Sequence, residues 1–379
     1  MAERSRQPLW IRLAPVWLTG LSLLFAAGIA EVALRLFPQW LPEEAQLRLL
    51  WSGERDDLLT VRDPYLGVRF RPLQQKRMQN RDFDIVVSTD EHGFRNRSPW
   101  PAQADVVAVG DSLVFGYGVD HPRTWTSLLE SELGTRVINL GMPGSGPWQY
   151  TRSFEKLGMS VRPRVLLYGL FPANDIKDVE DFDRWVAEGS RGSYDEFRFF
   201  AGDVPNVMAD VLDDSYLLVA LRAIRKNLRD KHQFKPETIH LANGGRVQVV
   251  PRMDDGNTWK MKDDNPSFTS MMNAIAKARE LAASIGARMI CVVFPSKSRV
   301  YLSRDGQDFK GPSAPLIERL SRDGYEVLDL TEVLRAHAAR GEQVYFETDG
   351  HPNELGNRII AERVRDQIRA TPQPSGSAP

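Results

Sequence analysis

Cysteine is almost absent from this sequence, and so is an excess of charge of either sign. The 379 residues include a single cysteine, Cys291, so no internal disulfide can form. This cysteine lies in an apolar run, where we expect a buried small hydrophobic side chain rather than a nucleophile. The formal net charge is −1, which gives no large field of one sign and argues against a nucleic-acid partner. A chain without disulfides can still be extracytoplasmic.

Groupings of metal ligands are also missing. The chain has six histidines, and no spacing among the His, Cys, Asp and Glu residues resembles a metal site. We therefore expect neither a metal nor another cofactor. His92 lies in a turn-forming stretch and is interpreted as a surface turn residue rather than a ligand.

The longest uncharged run lies near the N-terminus. Residues 13–30 are 18 residues without a charge, a length that can cross a bilayer core. Arg4, Arg6 and Arg12 precede this run and predict that the N-terminus is cytoplasmic, with the remainder of the chain outside the cytoplasm. We interpret residues 1–37 as a cytoplasmic stub and an uncleaved single-pass anchor. A signal peptide cleaved near residues 28–30 and a buried helix of a soluble protein are the alternatives.

From residue 101 onwards, apolar strand-like runs alternate with amphipathic helical ones. The predicted strands are residues 106–109, 136–140, 164–170, 288–294 and 325–330, and the predicted helices are 124–133, 150–157, 269–285, 315–321, 331–339 and 353–370. This alternation is typical of an α/β domain whose parallel five-stranded sheet carries helices on both faces.

The remaining segments set the expected domain layout. Residues 38–100 are a linker with a small β-element, in which 40–51 favour a helix and 68–71 and 83–88 alternate like strands. The α/β domain takes residues 101–370 and contains an insertion at 178–268, with a helix at 216–228 and a hairpin signal at 243–245. Residues 371–379 are a Pro- and Ser-rich tail that we expect to be disordered.

Four short polar motifs follow predicted strands. They are Gly-Asp-Ser at 110–112, a Gly-rich loop at 139–146, Asn-Asp at 174–175 and Asp-Gly-His at 349–351. Because parallel strands bring their carboxyl ends to one edge of the sheet, these motifs should converge in space. A Ser hydroxyl needs a base, a group that orients the base and donors for the oxyanion.

The four motifs supply each of these roles. Ser112 is the expected nucleophile, His351 the general base and then acid, and Asp349 the group that orients the imidazole. The expected oxyanion donors are the backbone N–H groups of Ser112 and Gly144 and the side-chain amide of Asn174.

The order of these motifs resembles the SGNH (GDSL) hydrolase superfamily over about residues 104–369, apart from the insertion. The resemblance implies a flavodoxin-like three-layer α/β/α fold and ester hydrolysis or acyl transfer, with Ser112, Gly144, Asn174 and His351 at the four signature positions.

Two positions depart from the superfamily pattern. Pro172 replaces the usual glycine of the Asn-Asp block, and Thr348 stands where the family's Asp usually lies, three residues before the histidine. The Asp-x-His spacing from Asp349, together with Pro-Ser-Lys at 295–297, resembles the alginate-type polysaccharide O-acetyltransferases of the same superfamily. Glu347 is the alternative to Asp349.

A few further side chains are candidates for substrate contact. Lys297 is either a solvated surface residue or a substrate contact, and Trp148 lies next to the Gly-rich loop. Trp148, Trp185 and Trp259 could stack on sugar rings, although packing in the core or at its rim is the simpler interpretation for each.

Three functions remain open from the sequence. The first is a membrane-anchored serine esterase that removes acetyl or other acyl groups from carbohydrate in the cell envelope. The second is a polysaccharide O-acetyltransferase that uses the same Ser-His-Asp site. The third is a non-catalytic component of an envelope assembly. The expected partners are the membrane, through the N-terminal helix, and an acylated carbohydrate or another ester.

Overall fold

The chain divides into two compact units, residues 1–55 with 203–232 and residues 56–202 with 233–379. The computed structural model describes residues 9–41, 60–190, 194, 197, 215–229, 237–250, 258–302 and 313–370. Most of the helix expected at 40–51 and the tail at 371–379 lie outside these residues. The division assigns the middle of the expected insertion to the same unit as the N-terminal segment.

The described residues of the first unit include two α-helices. Helix α1 (Leu9–Leu36) is followed by a 3₁₀ turn, and its segment Pro15–Leu36 is long and apolar enough to cross a membrane. The second helix of this unit, α6, is Tyr216–Arg229 and agrees with the helix predicted at 216–228.

The second unit is built on a five-stranded, entirely parallel sheet. Its strands are β5 (Val106–Gly110), β6 (Val137–Gly141), β7 (Val165–Leu170), β10 (Arg288–Val293) and β11 (Glu326–Asp329). Their spatial order is β11-β10-β7-β5-β6, with β5 in register between β6 and β7. The predicted fold class is confirmed: β-branched and other apolar runs form a buried sheet between helical layers.

Helices cover both faces of this sheet. They are α2 (Ser112–Phe115), α3 (Trp125–Leu133), α4 (Pro147–Lys156), α5 (Pro172–Ala187), α7 (Pro266–Ser284), α8 (Lys297–Tyr301), α9 (Ser313–Arg322), α10 (Thr331–Ala339) and α11 (Glu354–Ala370). Alternate residues of β5 enter different cores: Val107 and Val109 pack with α4 and α7, while Val106 and Ala108 pack with α3 and α11. This alternation follows from the two-residue period of a strand.

Between residues 60 and 88, two antiparallel hairpins precede the sheet. One pairs β1 (Thr60–Asp63) with β2 (Gly67–Phe70), and the other pairs β3 (Gln75–Gln79) with β4 (Asp84–Ser88). The strands expected at 68–71 and 83–88 are therefore present, but each pairs with a polar strand that the sequence pattern did not reveal. Ile85 and Val87 anchor the second hairpin in the core.

The predicted start of the insertion, residue 178, lies inside a helix. Helix α5 runs without interruption through residue 178, so the chain after β7 remains regular as far as Ala187. The hairpin signal at 243–245 is the turn between β8 (Glu237–His240) and β9 (Arg246–Val249).

Candidate active site

The nucleophile turn lies where strand β5 meets the short helix α2. Asp111 caps this helix, because its Oδ1 accepts a hydrogen bond from the Leu113 N–H at 2.9 Å, and Ser112 is the first helical residue. Strand β6 packs directly against α2: a Cβ on Gly141 would lie 2.3 Å from the Phe115 backbone nitrogen. The close strand–helix contact therefore requires glycine and fixes where the Ser112 hydroxyl emerges.

A continuous hydrogen-bond chain joins three of the predicted residues. His351 Nε2 lies 2.7 Å from Ser112 Oγ, and His351 Nδ1 lies 2.6 Å from Asp349 Oδ1. The Asp349 carboxylate also accepts from the His351 backbone N–H at 2.9 Å. This is the geometry of a nucleophile, a base and a group that orients the base, assembled from residues 239 positions apart.

Two aromatic rings support the imidazole. The Tyr117 ring lies against the His351 ring, with centroids 4.7 Å apart and an interplanar angle of 33°. Phe83 meets Tyr117 edge-on at 5.5 Å. Tyr117 follows the nucleophile helix, whereas Phe83 comes from the N-terminal hairpin β3–β4, so this hairpin reaches the site.

The expected oxyanion donors lie around the same strand ends. Asn174, in the first turn of α5, donates from Nδ2 to Asp111 Oδ2 at 3.2 Å and is thereby held beside the nucleophile turn. The loop of Gly144 follows Gly141, which pairs with Gly110, and the Met142 N–H donates to the Gly110 carbonyl at 3.0 Å. The structure thus brings both loops to the edge where Ser112 lies.

Buried carboxyl groups surround the base of the nucleophile turn. Burial raises the pKa of Asp111, although the Leu113 N–H and the Asn174 amide oppose this shift. Asp175 is also buried, and burial together with the nearby Asp111 raises its pKa well above the usual range. It accepts from the Tyr150 hydroxyl at 2.8 Å and the Phe171 N–H at 2.7 Å, so it ties the start of α5 to α4.

The electrostatics of Asp349 differ from those of the buried carboxyls. Burial favours its neutral form, but the hydrogen bonds from His351 and the nearby Lys297 ammonium outweigh this, and the pKa of Asp349 lies below its usual value. An ionised Asp349 is the form that can stabilise an imidazolium. Glu347, the alternative considered from the sequence, points elsewhere: its carboxylate pairs with Arg246 at 2.7 Å.

Lys297 supports the backbone of the loop that carries Asp349 and His351, which we call the acid–base loop (residues 347–351). It is 6% exposed, so the expectation of a solvated surface lysine is wrong. Its Nζ donates to the carbonyls of Glu347 at 2.7 Å and Asp349 at 3.1 Å. Burial lowers the pKa of Lys297 to about 8, against the opposing effect of nearby carboxylates.

Asp82 was not identified from the sequence, yet it contacts the acid–base loop at several atoms. Asp82 Oδ2 accepts from the backbone N–H groups of Thr348 at 3.0 Å and Asp349 at 2.7 Å, and also from the Thr348 hydroxyl. Asn80 Nδ2 lies 3.5 Å from Asp349 Oδ2. Both residues lie in the turn between β3 and β4, where the only sequence signal was a short polar stretch between two strand-like runs.

The tryptophans occupy different environments. Trp148 is half-buried, and its indole N–H donates to Ser270 Oγ on α7 at 2.9 Å. Trp185 is fully buried and packs on Phe182 and Tyr194, as core packing requires. Trp259 is 63% exposed and remains open to solvent.

Two other expectations concern metals and histidines. Within the described residues, no group of three or more His, Cys, Asp and Glu side chains could hold a metal ion. His92 lies in the turn after β4, stacked edge-on against Trp100 at 4.5 Å.

Comparison with known families adds to this geometry. Residues 255–379 match the model of a family described as the SGNH hydrolase-like domain of the acetyltransferase AlgX. The match covers one third of the chain and includes Lys297, Asp349 and His351, but it does not extend to Ser112 or Asn174. No curated protein matches the sequence.

A comparison with solved structures finds matches of low sequence identity and low TM-score. A member of the lipolytic protein G-D-S-L family from Veillonella parvula is 16% identical, with a TM-score of 0.36, and the alignment covers 68% of this chain and 94% of that one. The lipase/acylhydrolase from Enterococcus faecalis is 13% identical, with a TM-score of 0.35 and coverages of 70% and 95%. The similarity to an SGNH hydrolase-like domain therefore rests on residues 255–379, which make up the C-terminal third of the chain.

Proposed function

We propose that this chain is a membrane-anchored serine esterase that removes acetyl or other acyl groups from carbohydrate in the cell envelope. The observation that carries the chemistry is the hydrogen-bond chain from Ser112 Oγ to His351 Nε2, at 2.7 Å, and from His351 Nδ1 to Asp349 Oδ1, at 2.6 Å. A hydroxyl, an imidazole and a carboxylate in this order form a nucleophile that is activated by a base.

In the first step Ser112 Oγ attacks the acyl carbonyl carbon. His351 Nε2 takes the hydroxyl proton, and the Asp349 carboxylate stabilises the resulting imidazolium. The tetrahedral intermediate collapses when the alcohol oxygen of the substrate leaves with the proton from His351. An acyl group then remains on Ser112 as an ester.

The developing negative charge on the carbonyl oxygen requires hydrogen-bond donors. We assign this role to the backbone N–H groups of Ser112 and Gly144 and to the side-chain amide of Asn174. The contact between Asn174 Nδ2 and Asp111 Oδ2 uses one amide hydrogen and orients the other, so Asp111 fixes the direction of this donor.

In the second step an acceptor hydroxyl attacks the acyl-enzyme, and His351 takes its proton. The bond between the acyl group and Ser112 Oγ then breaks, and Oγ leaves with the proton from His351. When the acceptor is water, the product is a free acid and the enzyme is an esterase. When a sugar hydroxyl takes the place of water, the same residues catalyse acyl transfer, and the choice depends on which acceptor occupies the site.

A polysaccharide O-acetyltransferase is therefore the second candidate function. The observation that favours it is the match of residues 255–379 to the family model named for the acetyltransferase AlgX. That segment contains the acid–base loop, which is the part of the site that must activate the acceptor hydroxyl.

The proposed location is the extracytoplasmic side of a membrane, with the N-terminus in the cytoplasm. The basic N-terminal residues and the apolar segment Pro15–Leu36 support this orientation. Helix α1 continues past residues 28–30, the alternative cleavage site, and its residues Glu31 and Leu34 contact α6 within the same unit. Cleavage would remove the hydrophobic part of a helix whose end belongs to a folded unit.

The test uses the full chain in detergent, with p-nitrophenyl acetate as acyl donor and with or without an oligosaccharide acceptor. We expect p-nitrophenol release by the wild-type protein and its loss in Ser112→Ala and His351→Ala. Mass spectrometry of the products separates the two enzymatic functions, because free acetate supports an esterase and an acetylated oligosaccharide supports a transferase.

The control is Ser284→Ala, the same substitution at an exposed serine near the end of α7, which should keep full activity. A fluorophosphonate probe provides a second readout that needs no natural substrate. If neither ester release nor probe labelling depends on Ser112, the enzymatic proposals fail and the non-catalytic envelope component is the remaining function.

A further inference from the structure

Helix α6 is attached to the end of the apolar helix α1 through one carboxylate. Glu31 Oε2 accepts from the Leu217 backbone N–H at 2.8 Å and from Ser215 Oγ at 2.9 Å, and Glu31 Oε1 accepts from the Tyr216 N–H at 3.1 Å. The first N–H groups of a helix have no partner within the helix and favour an anion. Glu31 therefore fixes the start of α6 on α1.

The position of Glu31 along α1 places this junction at a definite depth. The 18 uncharged residues 13–30 span roughly 27 Å as a helix, close to the roughly 30 Å of a bilayer core. Glu31 is the first charged residue after them, and it pairs with Arg35 at 2.7 Å. If residues 13–30 cross the bilayer, α6 begins at the boundary between acyl chains and headgroups.

The two sides of α6 differ in polarity. Val219 and Ala220 are buried with Leu34 in a small apolar cluster, so one side packs on α1. Leu221 and Ile224 form a neighbouring stripe with exposures of 51% and 44%. Arg222 is an exposed cation that lies about 100° from Leu221 and about 160° from Ile224 around the helix. Large exposed apolar side chains on a helix that also presents cations are typical of helices lying in a membrane interface.

We propose that α6 is an interfacial helix, which lies on the extracytoplasmic surface of the same bilayer that α1 crosses. Its Leu221–Ile224 stripe enters the acyl boundary, and Arg222 faces the phosphate groups of the lipids. The inference rests on the membrane anchor of the proposed function and is independent of the proposed chemistry. It assigns a lipid-binding role to part of the segment between β7 and the hairpin β8–β9.

The single native cysteine makes a direct test possible. Cys291 is fully buried and should not react with a label in the folded protein. Spin labels at Leu221→Cys, Ile224→Cys and Arg222→Cys report the two sides of α6. Leu24→Cys reports the middle of the span, and Lys277→Cys reports an exposed position on α7. The labelled full-length proteins are reconstituted into vesicles of phosphatidylethanolamine and phosphatidylglycerol.

The measurement is the accessibility of each label to oxygen, which concentrates in lipid, and to a water-soluble nickel chelate. We expect the oxygen-to-nickel ratio at 221 and 224 to exceed that at 222 and 277 several-fold and to approach that at 24. Labels at 221 and 224 that match 277, while 24 remains in lipid, would overturn the interfacial helix but not the anchor. A label at 24 that the nickel chelate reaches would overturn both the interfacial helix and the membrane anchor. Labels at 221 and 224 that neither reagent reaches would overturn the interfacial helix, because protein rather than lipid would then cover the stripe.

Discussion

The nucleophile and the acid–base loop meet within 2.7 Å, but the protein holds them by different means. Ser112 is positioned by regular structure: a buried strand, a capped helix and glycines that allow close packing. The acid–base loop follows no strand of the parallel sheet and has little regular structure of its own. Side chains from distant segments hold its backbone.

The supports of the acid–base loop have complementary charges. Asp82 accepts from backbone N–H groups at 348 and 349, and Lys297 donates to backbone carbonyls at 347 and 349. Asp349, whose carboxylate orients His351, lies between the two. Regular structure therefore positions Ser112, whereas hydrogen bonds from distant side chains position the loop of His351. Substitutions of those side chains should affect His351 without disturbing Ser112.

The largest effect in this comparison should come from Asp349→Asn. An amide cannot stabilise the imidazolium as a carboxylate does, and its N–H can favour the wrong tautomer of His351, so we expect kcat to fall by about 10³- to 10⁴-fold. The measurement is steady-state ester hydrolysis, with Ser112→Ala as the baseline. A loss of less than about tenfold would show that Asp349 does not perform the orienting role.

The next largest effect should come from Asn174→Ala, on the nucleophile side. Removal of one oxyanion donor typically costs about 10²- to 10³-fold in kcat. KM should change little, because the donor acts on the charge of the transition state. Asn174→Asp is the shape-matched control: it keeps the size of the side chain but places a carboxylate opposite the oxyanion, so it should be at least as inactive. An effect on KM alone would assign Asn174 to substrate binding instead.

The contrast between the regular structure around Ser112 and the side-chain bonds of the acid–base loop also explains which features the sequence could predict. The strands β5, β6 and β7 are apolar runs that end in Gly, Asn and Asp turns, so both the sheet and the residues at its edge follow from local pattern. Asp82 reaches Thr348 across 266 positions of sequence, and no local pattern encodes such a contact. Strand β3 reads Gln-Lys-Arg-Met-Gln, which lacks the alternation of apolar residues that predicts a half-buried strand.

Lys297 shows a second kind of limit. A lysine is usually exposed, so composition predicts a solvated side chain. Its burial depends on two backbone carbonyls of a loop about 50 residues later, which the folded chain brings to its ammonium group. The sequence therefore specifies the proposed catalytic residues better than the residues that hold them in place.

A smaller effect is expected from Asp82→Ala, which removes the support on the hairpin side. Without its acceptor the acid–base loop should shift, and a displacement of a catalytic group by about 1 Å can cost on the order of 10²-fold in rate. We expect kcat to fall by about 10- to 100-fold while KM stays within about twofold, because the loop rather than the substrate loses contacts. Ester hydrolysis and the rate of fluorophosphonate labelling at Ser112 measure this loss.

The matched control for the hairpin is Asp84→Ala. Asp84 lies two residues further along the same hairpin, is exposed and pairs only with Arg77 among its described partners. This variant should keep wild-type kinetics. Equal losses in the two variants would mean that the hairpin was disrupted as a whole and that Asp82 has no separate positioning role.

The smallest effect concerns stability and Lys297 on the other side of the loop. Its pKa is about 8 in the folded protein and 10.5 ordinarily, so between these pH values the unfolded chain binds a proton that folded Lys297 does not. Stability rises with pH wherever the unfolded state binds more protons, so this residue makes the folded state relatively more stable as pH increases from 8 to 10.5.

Lys297→Met should remove that contribution, and Lys277→Met, at an exposed lysine, should not. Thermal unfolding midpoints across this window, followed by tryptophan fluorescence, provide the test. If the unfolding midpoint depends on pH in the same way in Lys297→Met as in the wild-type protein, the pKa of Lys297 is not lowered by burial. In that case a charged ammonium group would hold the acid–base loop at neutral pH and up to the ordinary pKa of a lysine.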